Sequence, residues 1–240
     1  MTQPNEHAVI IGGSSGIGLA TAQRLLANGL QVTVAGLGKQ RLDAAGETLG
    51  GKARALVLDA ADPVQVREFF ATLGAFDHLV LALGSGRGMG AFATLDLGEV
   101  RRGFEEKVWP HLSCAQAALP HLRKDGSITF VSAVSGQMAA PGTAGLAAAN
   151  GALAIVTPVL AAELRPLRVN AVSPGVVDTP WWGFLDADQR QGAFADYAKK
   201  SLVGRVGAPD DIAKAIAFLI EDSFVTGHVL VCDGGLRLAA

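Results

Sequence analysis

The sequence predicts an α/β protein, with a doubly wound, seven-stranded parallel sheet of Rossmann type in one domain over residues 1–240. Three observations carry this. Short β-branched or apolar runs alternate with helical patterns along almost the whole chain, which is the βαβ signature. Most of the runs are continuous hydrophobics, as in strands covered on both faces. With 50% hydrophobic and 18% charged residues, the chain can bury one large core.

The runs that read as strands are Ala8 to Gly12, Gln31 to Ala35, Ala53 to Leu58, His78 to Leu83, Ser127 to Ser132, Arg168 to Val172 and His228 to Val231. Helical patterns fill the gaps at Gly16 to Asn28, Gln40 to Leu49, Pro63 to Thr72, Leu97 to Leu122, Thr143 to Leu164 and Pro209 to Ile220. Asp62 suits an N-cap and Gly29 a helix stop. Pro158 falls inside the fifth helix, where it removes a backbone bond and should kink it. Only Trp181 to Val206 escapes the alternation, and it reads as a mobile, lid-like insertion (about 181–206).

A net charge of -2 with scattered Lys and Arg gives no basic stripe for a phosphate backbone, so nucleic acid is not an expected partner. Cys114 and Cys232 lie in unrelated segments without metal spacing; no disulfide scaffold and no metal site is expected, and a reducing cytoplasm fits. Met1 to His7 is polar and leaves no room for a signal peptide. Gly126 to Ala162 carries no charge and is long enough to cross a bilayer, but Pro141, Gly142, Asn150, Gly151 and Pro158 interrupt it. It reads as strand, loop and buried helix, with no membrane partner.

After the first strand comes Gly12-Gly13-Ser14-Ser15-Gly16-Ile17-Gly18, then a helix. Glycines let a backbone approach a pyrophosphate, and the free N–H groups at a helix start hold the anion. Gly12-x3-Gly16-Ile17-Gly18 resembles the short-chain dehydrogenase/reductase pattern of the classical type. Further marks follow in order: Asp59; Gly126-Ser127-Ile128; Arg168-Val169-Asn170-Ala171-Val172-Ser173-Pro174-Gly175; Asp178-Thr179-Pro180; Gly204-Arg205; Pro209-x-Asp211-Ile212; Val225-Thr226-Gly227; Asp233-Gly234-Gly235. The resemblance covers essentially the whole chain.

It implies that Gly12, Ser14, Ser15, Gly16, Ile17 and Gly18 surround the pyrophosphate and adenosine, and that Asp59 reaches the adenine. Pro174, Gly175, Val177 and Thr179 would cradle the nicotinamide. Two departures appear: Ile11 stands for the usual Thr before the first glycine, and Leu81-Ala82-Leu83-Gly84 for the usual Asn-Asn-Ala-Gly, so Ala82 and Gly84 offer backbone only. At the end of the second strand an acidic residue would hold a ribose hydroxyl of NAD, and an Arg the phosphate of NADP. Here the chain reads Ala35-Gly36-Leu37-Gly38-Lys39, with Leu37 in place of Arg and no carboxylate, leaving Lys39 and Arg41 as substitutes. NADP is expected and NAD possible; Lys39 is otherwise a solvated helix-start residue.

The family's chemistry uses an Asn-Ser-Tyr-Lys tetrad, in which the cation lowers the pKa of a phenol that starts near ~10. All four positions are changed: Lys107 stands for Asn, Ala133 for Ser, Leu146 for Tyr and Asn150 for Lys. A shift of one residue would bring Ser132 to the serine position, but the single tyrosine is Tyr197, in the insertion. Lys107 and His111, at i and i+4, share one helical face and are either relocated proton-transfer groups or structural residues beside Trp109-Pro110. Trp181, Trp182 and Phe184 are either an aromatic wall for an apolar substrate or lid packing.

Two functions of different class follow. One is an NAD(P)-dependent oxidoreductase acting on a carbonyl or alcohol by a route without tyrosine. The other is a non-catalytic cofactor-binding protein or oligomer partner. The uncharged helix from Gly142 to Leu164, left bare, would expose a large apolar patch, so a homodimer or homotetramer is expected.

Overall fold

The computed structural model describes residues 6–239. Its strands are β1 (His7–Ile11), β2 (Gln31–Gly36), β3 (Arg54–Val57), β4 (Phe76–Leu81), β5 (Leu122–Val131), β6 (Arg168–Pro174) and β7 (Val229–Cys232). They form one parallel sheet in the order β3-β2-β1-β4-β5-β6-β7. The helices are α1 (Gly16–Ala27), α2 (Lys39–Thr48), α3 (Pro63–Leu73), α4 (Leu97–Gly103), α5 (Trp109–Ala118), α6 (Ala144–Glu163), α7 (Ala187–Lys200) and α8 (Pro209–Glu221).

Successive strand residues face opposite sides, so each strand feeds two cores. Val9, Ile11, Leu79, Leu81, Ile128 and Phe130 pack with Phe70 of α3, Cys114 of α5 and Leu153 of α6. Ala8, Ile10, Val32, Val34, Val80 and Val172 pack on the other face with Leu25 of α1, Leu42 of α2 and Ile216 of α8. Full burial of one such Leu, Ile or Phe side chain stabilises the fold by roughly 1.5–3 kcal/mol. Asp62 caps α3 through the amides of Val64 and Gln65, and Gly29 takes a left-handed turn at φ 89° after α1.

The buried Arg168 guanidinium donates to the carbonyls of Leu219 (2.5 Å) and Ile220 (2.8 Å), closing the end of α8. Asn170 donates to Val225 O at 2.9 Å and accepts from the His228 amide at 3.0 Å. These two residues of the sixth strand therefore lock β6 to the segment entering β7.

Two sequence expectations change. The segment from Leu97 to Leu122 is not one helix: α4 and α5 are joined by a π-turn over Phe104–Val108, and Leu122 already begins β5. Helix α7, absent from the expected helical patterns, fills the middle of the 181–206 segment, capped by Asp186 accepting from the Gln189 amide while the Gln189 side chain accepts from the Asp186 amide. Helix α6 includes Pro158 and is the one described helix long and apolar enough to cross a membrane, yet Gly145, Ala149, Asn150, Leu153 and Thr157 bury one face of it in the protein.

Candidate active site

In the sheet order, β1 lies between β2 and β4, so the chain reverses direction across the sheet at the carboxyl ends of β1 and β4. A crevice opens there in folds of this class. The loop after β1 fills its floor. Gly12 has φ 84°, and a Cβ on it would stand 2.6 Å from Ala82 O; a Cβ on Gly18 would stand 2.2 Å from Gly12 O. Both positions tolerate only glycine, because side chains would drive the loop off the sheet and the helix off the loop. Ser15 leads into α1 with extended backbone, and no side chain caps the helix start. The first amides of α1 are thus left open toward the crevice, as an anion site requires.

Gly16, at φ 52°, faces Thr179, whose Cβ would be 3.3 Å from a Gly16 Cβ. The segment after β6 therefore closes on the loop after β1. Val177 bridges to Gly207, and Gly175 lies so near Asp233 that a Cβ would come within 2.7 Å of its Cα. Pro174 ends β6 beside Cys232. Ile17 follows in the first turn of α1, Asp59 turns the chain after β3 by accepting from the Ala61 amide at 2.9 Å, and Ser14 Oγ lies against Gly36.

At the end of β2, the structure separates the two candidate cations. Lys39 Nζ is bound to both Asp43 carboxylate oxygens, at 2.7 and 2.9 Å, and is largely solvated. The Arg41 guanidinium folds back over Gly38, with Nε 3.1 Å from where a Cβ would be, and has no carboxylate partner among the described residues. Leu37 is 64% exposed at the same rim.

Lys107, Ala133, Leu146 and Asn150 sit together on the other side of the crevice. Lys107 lies in the π-turn, a distortion common at functional sites, and is buried; its Nζ donates to Ser132 O at 3.4 Å. Burial lowers its pKa to about 8. Ser132 Oγ donates to Asn150 O at 2.9 Å, while Asn150 Nδ2 donates to Ser135 Oγ (3.1 Å) and Leu146 O (2.9 Å). Leu146 is half-buried one turn before Asn150, and Ala133 opens the short turn after β5. That turn rests directly on α6: a Cβ on Gly136 would stand 2.7 Å from the Gly151 amide. His111 is fully buried, with Nδ1 2.7 Å from Lys107 O and Nε2 3.0 Å from Leu81 O. Burial first, then the neighbouring Lys107 charge, lower its pKa to about 3. His111 is thus a neutral ring held between the π-turn and β4, and its single N–H donates to one of these two carbonyls. The structure joins Lys107, Ser132 and Asn150, and leaves His111 behind them.

Sequence reasoning did not single out Arg190. It pairs with Asp178 and donates to Thr179 O at 3.3 Å, tying α7 to the segment facing the loop after β1. The placement of Trp181 was also not legible: its indole lies 3.5 Å from where a Gly84 Cβ would be and 3.7 Å from that of Gly86. Trp182 donates to Val177 O at 3.0 Å and packs with Phe184, Phe194 and Tyr197. Tyr197 is thereby a member of the aromatic cluster between α7 and the turn before it. The Asp186-to-Gln189 spacing was a capping-box signal for α7.

A single sheet with a glycine-bearing anion site at its switch point defines a dinucleotide-binding oxidoreductase fold. Residues 12–237 match the family described as enoyl-(acyl carrier protein) reductase. The short-chain dehydrogenase/reductase ATR9 of Stachybotrys chlorohalonatus is 34% identical, over 97% of each chain. The cis-4-hydroxycyclohexanecarboxylate dehydrogenase of Sinomonas cyclohexanicum is 34% identical, over 95% of each chain. A small-chain dehydrogenase crystallised in complex with NADPH superposes with a TM-score of 0.86 at 34% identity, over 98% of this chain and 99% of that one. The chain belongs to the short-chain dehydrogenase/reductase family.

Proposed function

We propose that the protein is an NADP(H)-dependent oxidoreductase acting on a carbonyl or alcohol group of an apolar substrate, without a phenol as proton donor. The observation that carries it is the loop after β1, where Gly12 and Gly18 are packed too tightly for any side chain and the start of α1 is uncapped. Such a loop serves an anion, and the similar NADPH-bound dehydrogenase supports the same cofactor here. The absence of a carboxylate at the end of β2, together with the unpaired Arg41, favours the additional phosphate of NADP; NAD is the weaker ligand.

When bound, the dinucleotide supplies or accepts a hydride, and the protein's part is orientation. Pro174, Gly175, Val177 and Thr179 line the nicotinamide end, with Gly84 and Trp181 opposite. Trp181, Phe184 and Leu146 present apolar surface, which suits a substrate with a hydrocarbon ring or chain next to its oxygen. Lys107 and Ser132 are the polar groups of this region that can hold a proton or an oxygen.

The alternative, a cofactor-loaded or oligomer-partner protein without turnover, draws on the sequence resemblance, which puts Leu146 and Ala133 at the positions of the family's phenol and hydroxyl. Titration with NADPH and NADH, followed by a panel of ketones and cyclic alcohols, separates the two. NADPH binding with turnover supports the oxidoreductase; tight binding with no turnover across the panel supports the alternative.

The same reading includes a homodimer or homotetramer in a reducing, cytoplasmic compartment. Ile155 (72% exposed) and Val159 (50%) face outward from α6, and Phe224 (97%) projects beside β7 at the open sheet edge. A monomer by light scattering at micromolar concentration overturns it.

A further inference from the structure

A cavity of about 380 Å³ lies between α3 and α5, and none of the residues lining it belongs to the crevice. Four of them bring polar side chains to it: Arg67 from α3, Ser113 and Gln116 from α5, and His121 from the turn leading into β5. None of the four side chains makes a hydrogen bond or ion pair among the described residues. Ser113 is the telling case. The helical hydroxyls of Thr21, Thr48 and Thr157 turn back to carbonyls four residues earlier, at 2.7–2.8 Å. The half-buried Ser113 makes no such bond and leaves its hydroxyl to the cavity.

No carboxylate lines the cavity to neutralise Arg67. Asp62 is committed elsewhere, accepting from the amides of Val64 and Gln65 and from the Gln65 side chain, and it thereby also closes the start of α3 to any other anion. Glu68 lines a separate groove beside β3. What remains is a one-sided donor set. A guanidinium presents a fork of N–H groups that matches a carboxylate, and a hydroxyl, an amide and an imidazole can each add a donor. The other lining groups are apolar: Pro63 and the fully buried Val66 from α3, with Ala117 and Pro120 on the α5 side. A bare inorganic anion would leave that surface without contact. The volume falls in the range of small-molecule pockets, roughly 300–1,000 Å³, with room for an anion and a hydrocarbon body together.

We propose that this cavity binds a small monocarboxylic acid with an aromatic or aliphatic body, Arg67 pairing with the carboxylate while Ser113 and Gln116 complete its hydrogen bonds. Val66 and Ala117 carry the hydrocarbon. The site uses the outward face of α5, whose Cys114, Ala115 and Ala118 lie in the core, and it depends neither on dinucleotide binding nor on turnover.

The test is calorimetric, on the full chain in its native oligomeric state, with benzoate as the probe. Wild type should bind benzoate saturably, with a Kd on the order of 1 mM or tighter. Benzyl alcohol keeps the ring without the charge, and acetate the charge without the ring; each should bind at least ~tenfold more weakly. Arg67→Met should cost benzoate at least ~tenfold, and Ala117→Phe, which fills the cavity, should abolish its binding. Saturating NADPH should leave benzoate affinity within about twofold. Absence of benzoate binding, as when a second copy covers the cavity in the oligomer, overturns the proposal. Equal affinity in Arg67→Met overturns it too, and so does displacement of benzoate by NADPH, which would put the acid in the crevice. If Ala117→Phe fails to fold, Arg67→Met decides, because Arg67 is exposed and its change leaves the core untouched. Failure of NADPH to bind, with the Arg67 effect on benzoate intact, removes the oxidoreductase reading and keeps this one.

Discussion

The two walls of the crevice are built on different terms. On the β1–α1 wall, backbone meets backbone: Gly12 and Gly18 bring chain against chain, and the start of α1 has no side-chain cap. On the β5–α6 wall, side chains face the crevice, and Lys107, Ala133, Leu146 and Asn150 stand there on a scaffold of paired strands. A wall made of backbone can change little without losing the fold. A wall made of side chains can be rewritten while the strands keep their places.

The largest effect should come from breaking the first wall. Gly16→Asp sets a carboxylate beside the phosphate site and forces a side chain into φ 52°. NADPH affinity should fall by about a thousandfold, or ~4 kcal/mol. Near-normal affinity by calorimetry would remove the glycine loop as the cofactor site.

The second wall carries a cost that the first does not. Lys107 has a pKa near 8 when folded and 10.5 when unfolded. Between those values the unfolded chain holds the extra proton, so wild-type stability should rise with pH across that window, by up to about 3 kcal/mol. Lys107→Met should be more stable than wild type at pH 7 by a similar amount and should lose that rise, as read by urea unfolding at pH 7 and above 10. The acid limb has the same logic, because His111 is neutral in the fold down to about pH 3. Below pH 6.5 the unfolded chain takes up a proton that the fold refuses, and stability should fall; His111→Phe should flatten that limb.

Restoring chemistry to the rewritten wall sharpens the contrast. From sequence, Leu146→Tyr alone is expected to be ineffective, since Asn150 provides no cation. With Lys107 buried beside Ser132, a cation is already present. Leu146→Tyr with Ala133→Ser should therefore raise single-turnover NADPH oxidation by an activated ketone at least ~tenfold over wild type. Changing Lys107→Asn in that background should cancel the gain; persistence of the gain would show that the ammonium does not reach the phenol.

Smaller effects separate residues within each wall. Arg41→Ala should weaken NADPH by about five- to tenfold and Lys39→Ala by less than about twofold, because only Lys39 is already neutralised by Asp43. Asp186→Ala removes the cap of α7 at about 1 kcal/mol. Faster amide exchange confined to residues 187–200 is the expected reading, and a global loss of protection would contradict a cap that acts on α7 alone.

The fold was legible because its strands are buried on both faces. Runs such as Ala8-Val9-Ile10-Ile11 need no tertiary knowledge to be recognised, and the loop after β1 announces itself by glycines. The break at Phe104–Val108 was hidden, since a π-turn leaves the apolar period almost unchanged and only its backbone bonds differ. Helix α7 was hidden by composition, its surface being largely polar and none of its residues buried. Lys39 and Arg41 were indistinguishable in sequence, because pairing with Asp43 is a matter of side-chain direction. The orphaned Asn150 oxygen could not be read from any spacing, since it depends on what three other residues have already claimed.

The Trp181 indole lies against Gly84 and Gly86, with Trp182 and Phe184 ring centroids 4.9 and 5.3 Å away. An indole in that place reports optically on its neighbour. A reduced nicotinamide absorbs in the range where indole emits, so arrival of cofactor between Gly84 and Thr179 should quench the protein's own fluorescence by energy transfer. Cofactor binding can thus be followed in real time without any attached dye.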